Sequence, residues 1–170
     1  MRRIVLTLGV FLIFARAGNA QVGVEKSLFG QGNTRIAASG GYASFNHNDY
    51  FVLGLGAGYY LWDGLEAGVS GETWVGSKPT IYTLSPQLNY FLPVELQWKP
   101  YLGGFYKKTF YQTDFSNLDS VGARAGFAIP LASHAYATAG AVYEKFLNCD
   151  SSIYANCSQT YPEFGVSLSY

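Results

Sequence analysis

The sequence predicts an all-β protein: an eight-stranded antiparallel barrel, of the up-and-down meander type, that crosses a membrane on its strands. Three observations predict it. Eight segments of the length a tilted membrane strand needs, ~9–11 residues, alternate with turn signals. Within the best-patterned of them, apolar side chains fall at every second position, which makes one greasy face and one wet face. The composition is 17 % aromatic with 14 Tyr, yet only 13 % charged, where soluble domains carry nearer ~25 % charge. Low charge with abundant Tyr, Gly and Ala suits a structure whose outside faces lipid.

The chain opens on a different pattern. Arg2 and Arg3 precede an apolar run, Ile4 to Phe14, broken by Thr7 and Gly9, and Gly18-Asn19-Ala20 supplies small residues where a signal peptidase cuts. That run is well short of the ~20 residues of a spanning helix. Residues 1–20 therefore read as a cleaved secretory signal, excluded from fold reasoning, and residues 21–170 as one barrel domain. Cleavage removes Arg2, Arg3 and Arg16 from the 11 basic residues and leaves 8 against 11 acidic ones. No basic patch points to nucleic acid, and no spacing of ligands points to a cofactor or a metal.

The strands follow in order: Thr34 to Phe45, Tyr50 to Trp62, Leu65 to Val75, Thr80 to Phe91, Gln97 to Phe110, Asn117 to Ile129, Ala132 to Leu147 and Tyr161 to Tyr170. Asp63-Gly64 joins the second and third as a hairpin turn. Pro130 is expected to begin the turn after the sixth. An even strand count with both termini on one side is the bacterial rule. It makes the turns after strands two, four and six periplasmic, and the loops near 46–49, 76–79, 111–116 and 148–158 extracellular. In the second strand Phe51, Leu53, Leu55, Ala57, Tyr59 and Leu61 face lipid, while Gly54, Gly56 and Gly58 face in. In the fourth, Tyr82, Leu84, Pro86, Leu88 and Tyr90 face lipid against Thr83, Ser85, Gln87 and Asn89 inside. Pro86 is awkward there, since it has no N–H for the ladder. Tyr59, Trp62, Tyr90, Trp98 and Tyr170 fall where a periplasmic aromatic girdle belongs, although the strand register by itself would turn Trp62 inward.

The same register puts Arg35, Lys99, Lys107 and Arg124 on the inner face, with Glu66, Glu72, Glu144 and Glu163. Four charges of each sign make an interior that closes on itself, because buried charges persist only when paired and hydrogen-bonded. By depth, Glu72, Lys107 and Glu144 belong to the outer half, Arg124 and Glu163 to the centre, and Arg35, Glu66 and Lys99 to the periplasmic end. Eight strands enclose an interior that side chains can fill, so a plugged barrel is expected over a narrow gated pore. Lys108, on the opposite face from Lys107, sits at the outer rim within reach of lipid phosphates.

Other chemistry finds little support. His47, with Ser44 and Asp49, is a loose constellation, and His134 sits beside a periplasmic turn; a general base needs its nucleophile within hydrogen-bond reach. An enzyme is not expected. Cys149 and Cys157 lie in the polar stretch Asn148 to Ser158, and export to an oxidising compartment makes a disulfide the default.

The last segment alternates Phe164, Val166, Leu168 and Tyr170 with Glu163, Gly165, Ser167 and Ser169. Gly165, Leu168 and the terminal aromatic Tyr170 resemble the C-terminal assembly signal of outer-membrane barrels. Together with the Gly54-Leu55-Gly56-Ala57-Gly58-Tyr59 strand, the Trp62-Asp63-Gly64 turn and the signal ending at Ala20, they make the chain resemble the small outer-membrane β-barrel families, those of the OmpA transmembrane domain, OmpX and OmpW. The resemblance implies a monomer in the bacterial outer membrane. It implies an envelope-structural or surface-interaction role, with outer-membrane lipids, lipopolysaccharide and the assembly machinery as partners. No peptidoglycan-binding domain follows the barrel in this sequence, so a cell-wall tether is not expected. A narrow pore or a lateral path for small hydrophobic solutes is the second expectation, and lipid A modification a distant third.

Overall fold

A computed structural model of the chain describes residues 28–45, 48–76, 80–111, 118–147, 149 and 156–170. The expected signal segment lies outside them, as do His47 and most of the cysteine loop. The eight strands are β1 (Thr34–Phe45), β2 (Asn48–Trp62), β3 (Leu65–Val75), β4 (Ile81–Phe91), β5 (Lys99–Tyr111), β6 (Leu118–Ala132), β7 (Ala135–Phe146) and β8 (Ser158–Ser169). Each pairs antiparallel with its neighbour in sequence, and β8 returns to β1 to close the barrel. The all-β, eight-stranded meander read from the sequence is the fold. No helix among the described residues is long and apolar enough to cross a membrane, which says nothing against strands doing so.

The period-two pattern sets which side chains point where. On β4 burial alternates at every residue, with Thr83, Ser85, Gln87 and Asn89 buried and Tyr82, Leu84, Pro86, Leu88 and Tyr90 exposed. On β2 the large residues Phe51, Leu53, Leu55 and Tyr59 are likewise exposed. This barrel is apolar outside and carries its buried charges inside, between apolar clusters at its two ends; in a soluble domain the large apolar residues that here cover the outside would take the interior.

Three local departures from the sequence reading have physical causes. Trp62 points out, 63 % exposed, and not inward. A bulge between Tyr60 and Trp62 inserts one residue and reverses the parity. β6 runs through Pro130 to Ala132 and does not stop at Ile129: Pro130 stays paired with Tyr136, and a second bulge leaves Leu131 as the extra residue before Ala132 meets Ala135. The turn is therefore at Ser133-His134, and β7 begins at Ala135, not Ala132. At Pro86 the ladder to β3 is continuous, but pairing with β5 passes from Leu84↔Lys108 to Gln87↔Phe105 and skips the proline. The missing N–H is one that β5 would have received.

The barrel has a terminal end and a cysteine end. At the terminal end lie both the start of β1 and the end of β8, and Thr34 and Tyr170 exchange backbone hydrogen bonds of 2.7 and 3.0 Å. The tight β2–β3 turn is there too, with Gly64 in the left-handed region at φ 80. The cysteine end carries the Cys149–Cys157 disulfide, whose Cα atoms are 5.6 Å apart.

A charge-paired barrel interior as the candidate functional site

Every charged residue assigned to the interior from sequence points there. Arg35, Glu66, Lys99, Lys107 and Glu144 are buried, and Glu72, Arg124 and Glu163 are mostly so. The structure sorts them into three levels along the axis.

At the terminal end Arg35 on β1 meets Glu66 on β3 at 2.9 Å and donates to the Ser167 hydroxyl at 3.4 Å. In the middle Arg124 on β6 meets Glu163 on β8 at 3.1 Å, with its guanidinium 5.0 Å from the centre of the Phe105 ring. Toward the cysteine end Lys107 on β5 lies between Glu72 on β3, at 3.1 Å, and Glu144 on β7, at 3.3 Å. Lys99 donates to the Val94 carbonyl.

These ion pairs share one construction: each skips a strand. Alternate strands lie roughly 10 Å apart, a gap that two long side chains close only if the strand between presents something small. Gly58 fills that role on β2, where a Cβ would sit 2.3 Å from a Glu66 carboxylate oxygen. On β7 the residue opposite Glu163 is Gly140, where a Cβ would meet the Tyr101 hydroxyl at 2.8 Å, and on β6 Ser120 is opposite Lys107 and Gly122 opposite Glu144. Gly58, with Gly54 under Glu72 and Gly103 under Arg124, thus leaves the space that these charged side chains occupy. Gly122 does this for a ring as well, since a Cβ there would meet Phe105 at 2.2 Å.

The Lys107 level is the most densely bonded. Tyr161 accepts from Lys107 at 3.0 Å and donates to Glu144 at 3.2 Å. Gln159 donates to Glu144 at 3.1 Å, and so does Ser120, to the other carboxylate oxygen. Trp74 and Thr83 donate to Glu72 at 3.3 and 3.2 Å. The Lys107 ammonium also lies within 5.9 Å of the ring centres of Trp74, Phe105 and Tyr161, close enough for cation–π attraction. Above it Tyr50, Val52, Trp74 and Ile81 form an apolar cap.

The terminal end holds a feature that the strand-by-strand reading did not anticipate. The segment before β1 folds back into the mouth, burying Leu28 and Phe29 against Tyr60, Phe91, Tyr101, Ala128 and Tyr136. Phe29 stacks on Phe91 at 4.6 Å and tilts against Tyr136 at 5.0 Å, while the Tyr60 and Tyr136 hydroxyls share a 3.0 Å hydrogen bond. Backbone bonds strap the segment down: Gly64 donates to the Phe29 carbonyl at 2.8 Å, Gly32 to the Tyr60 carbonyl at 2.9 Å, and the Ser169 hydroxyl to the Leu28 carbonyl at 2.6 Å. The sequence signal for it is slight, an apolar pair just before the turn-forming Gly30-x-Gly32 and outside any alternating run.

Chemically the interior is a stack of ion pairs and hydrogen bonds, in which Arg35 Nε and Arg124 Nε are buried without a hydrogen-bond partner. No group of three or more metal-ligating side chains occurs among the described residues. His134 is exposed, stacks on Tyr170 with ring centres 5.4 Å apart, and places Nδ1 3.1 Å from the Ser169 carbonyl oxygen. It braces the closing strand.

No family model matches the sequence, and no curated protein is similar to it by sequence. Solved structures share its fold. The N-terminal β-barrel domain of Pseudomonas aeruginosa OprF superposes with a TM-score of 0.65 at 17 % identity, over 83 % of this chain and 99 % of that one. Neisserial surface protein A gives 0.59 at 17 % identity, over 81 % and 96 %. The outer membrane protein OprG from Pseudomonas aeruginosa gives 0.50 at 14 % identity, over 83 % and 97 %. The chain therefore has the architecture of the small eight-stranded outer-membrane barrels.

Proposed function

We propose that this chain is an integral protein of the bacterial outer membrane, with an envelope-structural or surface-interaction role, whose interior is plugged by its own charge pairs. The observation that carries the reading is the inversion of polarity. Apolar side chains from Leu53 to Leu168 cover the outside, and three levels of ion pairs fill the inside. Only a lipid solvent makes that arrangement favourable. The terminal end is then periplasmic, and the cysteine end faces the medium. Residues 1–20 direct export, and Gly165, Leu168 and Tyr170 mark the last strand for the assembly machinery.

Membrane fractionation with heat-modifiable gel migration tests this. Protein that pellets with outer membranes and migrates faster before boiling than after supports the reading; protein recovered soluble without detergent refutes it. Tyr170→Ser is expected to cut folded yield severalfold, because it removes the terminal aromatic ring, which stacks on His134, while leaving the backbone bonds to Thr34 in place. Unchanged yield would remove the residue from assembly.

We read the protein as non-enzymatic, since the described histidine braces a strand. The ion pairs favour one second reading, a narrow pore in which a pair swings aside to admit small solutes. A resolved single-channel current in a planar bilayer would replace the plugged reading with this one.

A further inference from the structure

We infer that residues 28–33 are a latch on the seam between β1 and β8. The strap docks only after the barrel has closed, and it then sets how fast the seam can reopen.

The seam is the shortest ladder in the wall. Among the described residues it runs from Arg35↔Ser169 to Gly41↔Glu163, seven pairs, where every other pair of neighbouring strands has nine or more. Parity explains where it stops. Thr34 and Tyr170 exchange both of their backbone bonds, so every second pair from there, through Gly40 with Phe164, bonds across the seam. Tyr42 with Pro162 would be the next such pair, and Pro162 has no N–H to give. β1 continues to Phe45 and β8 begins at Ser158, yet those stretches pair only with β2 and β7. The seam also joins the first strand to the last, so in chain entropy it is the hardest ladder to close.

The strap crosses this seam on the inside, at the end opposite the proline. On one side the Ser169 hydroxyl of β8 donates to the Leu28 carbonyl, and Tyr136 of β7 packs on the Phe29 ring. On the other side Gly64 donates to the Phe29 carbonyl, Gly32 donates to the Tyr60 carbonyl of β2, and the Tyr60 N–H donates to Asn33. The Gln31 N–H reaches the Asp63 carboxylate at 2.9 Å. Parting β1 from β8 at this end pulls Ser169 and Tyr136 away from groups fixed to β2 and its turn. An opening that starts at Pro162 therefore cannot run through the terminal pairs until the strap lets go.

The order of events follows from where the partners lie. Phe29 packs in one buried cluster with Tyr60, Phe91, Tyr101, Ala128 and Tyr136, which come from β2, β4, β5, β6 and β7. Leu28 is bonded to β8. No hairpin or partial sheet assembles that set; the closed barrel does. Contacts made after the folding transition state slow unfolding and leave the folding rate alone. The strap is placed to act in that way, holding kinetically a seam whose own ladder is short.

The full chain refolded from urea into phosphatidylcholine vesicles, with folding followed by heat-modifiable migration, provides the test. Phe29→Ala should raise the unfolding rate on the order of a hundredfold and change the folding rate by less than about threefold. In hydrogen exchange of the folded protein, the same variant should speed β1 and β8 by about tenfold or more and leave β5 and β6 unchanged. Ser169→Ala, which deletes a bond of the latch and no ring, should move both readouts the same way by a smaller factor. Phe29→Leu, which keeps most of the burial, should unfold within about tenfold of the wild-type rate. A folding rate that falls as far as the unfolding rate rises would put the strap in the folding nucleus and overturn late docking. Faster exchange in all strands alike, or in residues 28–33 alone, would overturn the latch on the seam. Should Phe29→Ala not fold, Ser169→Ala decides by the same two criteria.

Discussion

The two ends of the barrel interior are closed by different physics. At the terminal end Phe29 is wedged among Phe91, Tyr60 and Tyr136, so closure comes from packed rings and removal of apolar area from water. Toward the cysteine end closure comes from Lys107 between two carboxylates, wrapped by Tyr161, Gln159, Ser120, Thr83 and Trp74. Packing is forgiving, because a ring can be traded for another apolar group of similar volume. A buried charge cluster is not, because every member is needed to offset the desolvation of the rest.

The sharpest break in that comparison is Lys107→Met. It leaves Glu72 and Glu144 facing each other without a cation, and the barrel should lose ~3–5 kcal/mol of stability. The urea midpoint of the heat-modifiable species reports it. Adding Glu72→Gln and Glu144→Gln to that variant should recover most of the loss, since the cost lies in the orphaned charges and not in any deficit of packing. A triple variant as unstable as the single one would mean that the cluster contributes chiefly through shape.

Phe29→Ala should cost less, ~3 kcal/mol, the low end for removing a buried ring, because the segment before β1 can settle into part of the space. Phe29→Leu should cost under about 1.5 kcal/mol. A leucine variant as damaged as the alanine one would show that ring stacking, and not burial, holds the strap. The smallest effect belongs to Cys149→Ser. Chain entropy alone would assign so short a loop ~2–3 kcal/mol. Because Phe146 already donates to the Cys157 carbonyl at 3.0 Å and holds the loop's base together, about 1 kcal/mol is expected. Thermal midpoints with and without reductant measure it.

Parity explains what was legible. From Tyr82 to Tyr90 on β4, and from Leu53 to Tyr59 on β2, outward apolar residues alternate without a break with small or polar ones, so inside and outside could be assigned residue by residue. The eight interior charges followed from the same parity. Where a bulge adds a residue the parity breaks, and Trp62 and the end of β6 escaped for that reason. Proline gave partial warning: Pro86 was recognisable as a ladder defect, but only the pairing shows that β5 is the strand that loses a bond. The Leu28–Phe29 strap has no period at all, so no pattern could announce it.

Sequence alone determined the all-β class, the strand count, the lipid-facing and interior sets and the equal numbers of interior charges. A side-chain period of two, a low charge content and turn residues are local properties of the chain. Tertiary structure alone decided the partners: Arg35 with Glu66, Lys107 with Glu72 and Glu144, and Arg124 with Glu163. Each of those contacts crosses an intervening strand, and three of the four do so beside a glycine or serine: Gly58, Gly140, and Ser120 with Gly122. Which residue that is depends on the register and stagger of the closed sheet, which no single strand contains.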